Sequence, residues 1–260
     1  MRTLAHSNFS SDSGLQTDAG AMEGAVRPLL HDLHAQQKDI QVFAARQLAA
    51  LARTGAAVSE RLLQLLAGPH QRARWGAAYT LSLLDGTLDL RCLPAILEAL
   101  HTGDGDVRWA AAGLMARLAK LYPVEVQNSL LELLGEQDAN ARKMALYCLR
   151  ELDAAPSALI TPLRAACAAL DSQVRIAALA LLKHLLANGK AQAQQAALAD
   201  IALQVFQHDP NAGVRRAAAH VLASISHPPA SVQDTLARAA EASEDPALRK
   251  IALRAIERKS

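Results

Sequence analysis

Aromatic residues are scarce in this chain: they make up 3% of its 260 residues, whereas the hydrophobic set as a whole makes up 51%. The apolar content must therefore come mainly from Ala and Leu, which favour helix and close helix contact over the aromatic and β-branched surfaces of sheets. Long apolar runs are missing too. Without a stretch of about 18 apolar residues, no transmembrane span is expected. Cysteine is rare, and Cys92, Cys148 and Cys167 lie far apart inside apolar segments. That spacing excludes a disulfide framework and a CxxC metal knuckle, and leaves the three thiols as small core side chains in a reducing compartment. Charge of one sign is lacking as well: 27 Lys and Arg against 25 Asp and Glu leave +2. Bulk electrostatics of that size does not draw in a nucleic acid, so any basic surface must be local.

The segment from Met1 to Gly20 has Arg2 but no continuous apolar stretch behind it. It reads as a disordered leader (1–20) and not as a signal peptide, and the remainder (21–260) reads as one repeat domain of a cytoplasmic protein. GxSxG, GxGxxG and GxxxxGK are all absent. Covalent hydrolase, dinucleotide and P-loop chemistries therefore lack their motifs.

What is present is a repeat. A turn-forming polar residue followed four positions later by Arg occurs at Asp104/Arg108, Asp138/Arg142, Asp171/Arg175, Asn211/Arg215 and Asp245/Arg249, and in weaker form at His70/Arg74. Steps between the arginines are 34, 34, 33, 40 and 34 residues. Three positions after each Arg stands Ala77, Ala111, Ala145, Ala178, Ala218 or Ala252, and seven after it Leu81, Met115, Leu149, Leu182, Leu222 or Ile256. With the apolar residue just before each Arg, these offsets form one stripe of a 3.6-residue helix, which is predicted to be core.

Another amphipathic segment precedes each such helix. The first helices are predicted near 23–35, 57–66, 90–100, 124–134, 157–170, 192–207 and 231–242, and the second near 40–53, 72–84, 107–121, 141–152, 174–186, 214–225 and 248–258. Pro94 and Pro162 fall inside first helices and should kink them or mark a first turn. A longer first helix, entered at Gly189 and Lys190, is the expected reason for the 40-residue step. A pair of helices about 12 residues long cannot bury its own apolar faces, so neighbouring pairs must stack. The fold expected is all-α: an alpha-alpha superhelix, or solenoid, of about seven antiparallel helix pairs.

The period, the Asp-to-Arg spacing and the Ala/Leu phase resemble the HEAT repeat, and in particular the short bacterial HEAT-like repeats of the bilin lyase group. The resemblance spans about residues 22–259. It implies a right-handed stack with the second helices on the concave side.

Asp39, Asp104, Asp138, Asp171 and Asp245 are expected to precede second helices, where a short carboxylate accepts from exposed backbone donors and meets the positive helix end. Each Arg is expected to reach its own Asp or that of the next repeat. This ladder of Asp104, Arg108, Asp138, Arg142, Asp171, Arg175, Arg215, Asp245 and Arg249 is assigned to structure, because a catalytic group is not needed once per repeat. Gly103-Asp-Gly-Asp106 lacks the remainder of a calcium loop and reads as a turn with a cap.

Function should lie where the repeats differ. One, five and eight positions after each Arg lie on a face about 100° from the Ala stripe. That face carries Trp75, Tyr79, Trp109, Lys143, Tyr147, Arg150, Lys183, Arg216, His220, Lys250 and Arg254. Both Trp residues of the chain are there. Its first half is aromatic and its second half basic, which suits a protein partner with an acidic surface.

An alternative is a nucleic-acid binder, since aromatic and basic groups can stack bases and hold phosphates. HEAT-like DNA glycosylases need a carboxylate beside an aromatic cleft, whereas here the neighbours of Trp109 are Gly113 and Ala116 and no acid appears until Glu257. HEAT-like di-iron hydroxylases carry His-Glu pairs, and this chain has none. His31 and His34 alone make a weak metal site. The bilin lyase resemblance implies a second alternative, a chromophore-handling protein whose aromatics stack on a linear tetrapyrrole while basic groups pair with its propionates. No catalytic residue, cofactor or metal is assigned. The leading expectation is a protein-protein interaction scaffold or adaptor.

Overall fold

The computed structural model describes residues 23–84, 88–152, 154–187 and 191–257. The leader (1–20), Gly189 and Lys190 lie outside them. Among the described residues every regular element is helical, and no helix is long and apolar enough to cross a membrane. The chain divides into two compact units at Glu98/Ala99.

The first unit holds α1 (23–32), α2 (Lys38–Thr54), α3 (Ala56–Leu66) and α4 (Gln71–Ser82), then a single 3-10 turn (Leu90–Cys92) that leads into α5 (Leu93–Leu100), where the boundary falls. α2 and α3 both pack on α4. Gly76 of α4 permits a close approach: a Cβ there would sit 3.0 Å from Cβ of Leu33. Leu33 itself is fully buried.

The second unit continues with α6 (Gly105–Ala119), α7 (Pro123–Leu133), α8 (Ala139–Glu151), α9 (Pro156–Cys167) and α10 (Ser172–Ala187). After a 3-10 turn (Gln192–Gln194) it closes with α11 (Gln195–His208), α12 (Ala212–Ala223), α13 (Ala230–Ala242) and α14 (Pro246–Glu257). The second helices stack in succession, α6 on α8, α8 on α10, α10 on α12 and α12 on α14, while α7, α9, α11 and α13 each pack on their own second helix. This is an all-α solenoid, built because each pair leaves an apolar face that only the next pair can cover.

The Ala stripe forms the floor of that packing. Ala77, Ala111, Ala145, Ala178, Ala218 and Ala252 have no accessible surface. Alanine suits these places because a methyl group lets the backbones of adjacent helices approach. Substitution A145L is expected to force neighbouring side chains off their rotamers and cost about 1 to 3 kcal/mol. Chemical denaturation checks this, and an unchanged midpoint would show that the site has room. The outer end of the stripe does not always behave this way. Leu81 is half-buried and Ile256 is 38% exposed.

Helix starts follow local chemistry. Pro123, Pro156 and Pro246 occupy the first helical position, where a missing N–H costs nothing. Pro94 stands in the first turn of α5, and Pro162 lies within α9. α9 stops at Cys167, short of the expected end at Leu170, and Leu170 is wholly exposed. α11, at 14 residues, accounts for only part of the 40-residue step, since the 3-10 turn before it and the 16-residue α10 take up the rest of what is described. Burial pushes the thiols of Cys92, Cys148 and Cys167 up to about 12, so they stay protonated and inert at neutral pH.

Candidate functional site

The turns between paired helices set the angle at which each second helix is presented. At five of them one side chain accepts two backbone N–H groups. Oδ1 of Asp104 takes those of Asp106 and Val107, Asp138 those of Asn140 and Ala141, and Asp171 those of Gln173 and Val174. Asn211 takes those of Gly213 and Val214, and Asp245 those of Ala247 and Leu248. For Asp245 the Leu248 bond is the main cause that holds its carboxyl below the usual range. Asp39 departs from the expectation. It lies inside the first turn of α2, which begins one residue earlier at Lys38, and the residue before that, Gln37, caps nothing with its side chain. Substitution D171A is expected to cost about 0.5 to 2 kcal/mol as a lost cap. A loss of binding without a loss of stability in urea would instead make Asp171 a functional carboxylate.

The arginines do something other than pair with these caps. Each guanidinium of Arg74, Arg108, Arg175, Arg215 and Arg249 donates to the carbonyl six residues earlier: Gly68, Thr102, Ala169, Asp209 and Ser243 respectively. Those carbonyls lie where the first helix has just ended, so the Arg ties the end of one helix to the start of the next and satisfies an orphan acceptor. Arg175 also forms a buried, two-pronged ion pair with Asp209 of the next pair of helices, at 2.7 and 3.1 Å. Arg74 makes a two-pronged but only part-buried pair with Glu98. Arg142, expected to reach a carboxylate, instead leaves its Nε buried with no hydrogen-bond partner.

On this frame the second helices present the variable face. In the first unit Trp75 and Tyr79 of α4 are half-buried and lean on one another, ring centroids 6.0 Å apart and planes tilted by 34°. In the second unit Trp109 of α6 is 59% exposed and stacks on Tyr147 of α8, 5.5 Å away at 26°. Arg150 lies over the Tyr147 ring, its guanidinium carbon 5.8 Å from the centroid, and it also pairs with Glu151 at 3.0 Å. Lys143 donates to Oδ1 of Asn140 at 3.4 Å. An aromatic pair held by two successive helices is a preformed flat platform.

Beyond it the face turns cationic. Lys183 of α10 is exposed, and it acts on His220 of α12. Arg216, His220 and Ala223 of α12 face Ala247, Lys250, Ile251, Arg254 and Ala255 of α14 across a groove of about 420 Å³. Desolvation and then Lys183 lower the affinity of His220 for a proton. Arg216 is held at 3.1 Å by Oδ2 of Asp245, whose other oxygen caps α14. Sequence reasoning missed two parts of this groove: the apolar floor at Ile251, which sits two places after Arg249 between the positions compared, and the second task of Asp245.

Two other features lie away from this face. A larger cleft of about 630 Å³ is lined by α9, α11 and the turns after them, but the Arg175–Asp209 pair at its floor is already self-satisfied. His34 stacks at 6.1 Å on His31 and edge-on at 5.0 Å to His70. Among the described residues no group of three or more His, Cys, Asp or Glu side chains is disposed to hold a metal ion.

No family model matches the chain, and no curated protein matches it. Among solved structures, a designed armadillo repeat protein in complex with the peptide (KR)4 is 14% identical, covering 90% of this chain and 99% of its own, with a TM-score of 0.48. Human deoxyhypusine hydroxylase in complex with glycerol is 15% identical over 94% of this chain and 99% of its own, at 0.41. The complex of CpcE and CpcF of phycocyanin lyase from Nostoc sp. PCC7120 is 18% identical over 99% of this chain and 94% of that one, at 0.37. Similarity at these values carries no functional argument, and the fold assignment stands on the order and packing of the helices.

Proposed function

We propose that this chain is a protein-protein interaction scaffold or adaptor, and that the second-helix face of α6 to α14 takes an acidic protein segment bearing an aromatic or large apolar side chain. The observation that carries this reading is the platform of Trp109 on Tyr147, left open at a place where a soluble surface gains nothing from it. Large aromatics that stay exposed and pre-stacked contribute disproportionately to an interface, because little side-chain entropy is lost on binding. Lys143, Lys183, Lys250 and Arg254 then select a partner of opposite charge and speed its encounter. Trp75 and Tyr79 are assigned a similar anchoring role within the first unit.

The test is capture and identification of a partner by the full chain, followed by titration of the purified pair. Affinity should fall as salt rises and should be lost in the W109A/Y147A variant, while the melting temperature stays close to that of the parent. Undiminished binding by that variant would overturn the proposal. Parallel titrations with a bilin and with a short oligonucleotide separate the other classes. A shifted visible spectrum of the bilin, or steeply salt-dependent oligonucleotide binding, abolished by the same substitutions would give the face to a pigment or to nucleic acid instead.

A further inference from the structure

The groove between α12 and α14 is walled by cationic groups on both sides. Arg216 and His220 come from α12, and Lys250 and Arg254 from α14, with Ala223, Ala247, Ile251 and Ala255 between them. Lys183 of α10 adds its charge at the His220 side. Asp245, whose carboxylate is hydrogen-bonded to Arg216, is committed: one oxygen closes the first turn of α14 and the other fixes Arg216. Among the described residues no charged side chain of α11 or α13 lines the groove. The charged groups that line the groove with His220 are Arg216, Lys250 and Arg254, with Lys183 acting on it from α10, Asp245 held on Arg216, and Glu257 three residues beyond Arg254 at the end of α14.

Such a site has an unmet demand for negative charge. Resting on the proposed reading of this face, we propose that the α12–α14 groove is the subsite for the partner's carboxylates, with Lys250 and Arg254 as its charge acceptors, Arg216 as a guanidinium positioned by Asp245, and His220 as a group that takes up a proton when the carboxylates arrive. The chemistry follows from the neighbours. In the free protein partial desolvation, and after it the charge of Lys183, makes this imidazole resist protonation. A bound carboxylate reverses the local sign and favours the imidazolium. Binding and protonation are then linked: affinity is greatest at low pH, falls as pH rises through the interval between the free and bound proton affinities of His220, and levels off above it.

The probe is a hexa-aspartate peptide with both termini blocked, so that nothing on the ligand titrates between pH 5.5 and 8. Calorimetric titration of the full chain in two buffers of different ionisation enthalpy counts the protons taken up. The expected result is net uptake near pH 6 that vanishes in H220Q, whose affinity should no longer depend on pH between 5.5 and 8. K250A/R254A should weaken binding about tenfold at every pH. Peptide binding without proton uptake, or uptake unaltered in H220Q, would overturn the His220 role while leaving the acidic-partner reading intact. No binding of the peptide at all would overturn the subsite together with the basic half of that reading.

Discussion

Substitution D209A should lower the stability of the second unit by about 3 to 5 kcal/mol, seen as a large drop in the urea midpoint. Asp209 is the receiving end of the buried pair, 4% exposed at its side chain against 10% for Arg175. Both of its oxygens take N–H groups of that guanidinium, and Oδ1 also accepts the backbone N–H of Asn211, the residue that caps α12. Truncation therefore leaves a buried guanidinium with only the carbonyls of Ala169 and Leu170 as acceptors, and it loosens the turn that aims α12. The cost comes from stranding the cation, not from losing a strong net attraction. R175M/D209L, which removes both charges and keeps volume, should accordingly recover most of the loss. If D209A and R175M/D209L are equally destabilised, the damage lies in the turn and not in the charge.

The second large effect is on binding. W109A/Y147A should weaken the proposed partner about 30-fold or more, which corresponds to roughly 2 kcal/mol, with little change in thermal stability. Trp109 is more than half exposed, so its loss leaves no cavity behind, and Tyr147 is half-buried with one face against the Trp ring. Because the rings stack, either single change disorders the other, and the two losses should not add. A melting temperature that falls as sharply as affinity would mean that the platform is packing and not a recognition surface.

Much of this fold was legible in the sequence because period and phase are local properties. Ala77, Ala111, Ala145, Ala178, Ala218 and Ala252 recur at one offset from Arg, and a 3.6-residue helix turns that offset into burial. The arginines were less legible. A guanidinium on a flexible stem reaches many partners, and the carbonyls it finds belong to residues as different as Gly68, Thr102, Ala169 and Ser243, which carry no side-chain signature in common. Asp209 was hidden for a related reason. Its position, two before the cap, holds Thr102, Glu136, Ala169 and Ser243 in other pairs, and the one acid among these, Glu136, lies by His101, so no recurring partner points to the buried pair. Asp39 misled because an acid near a helix start can cap it or merely sit in its first turn, and only backbone geometry separates the two. The variable face was legible as a set of offsets, but the groove was not: it needs the spacing of α12 from α14, which no single-helix pattern contains.

The most direct measurement on the proposed function is selection of peptides from a random-sequence library by the immobilised full chain, with the W109A/Y147A variant as counter-selection. The expected result is enrichment of an aromatic or large apolar residue with Asp or Glu running to one side of it, an enrichment that the variant fails to reproduce. A consensus without acidic residues, or the same consensus from the variant, would contradict it.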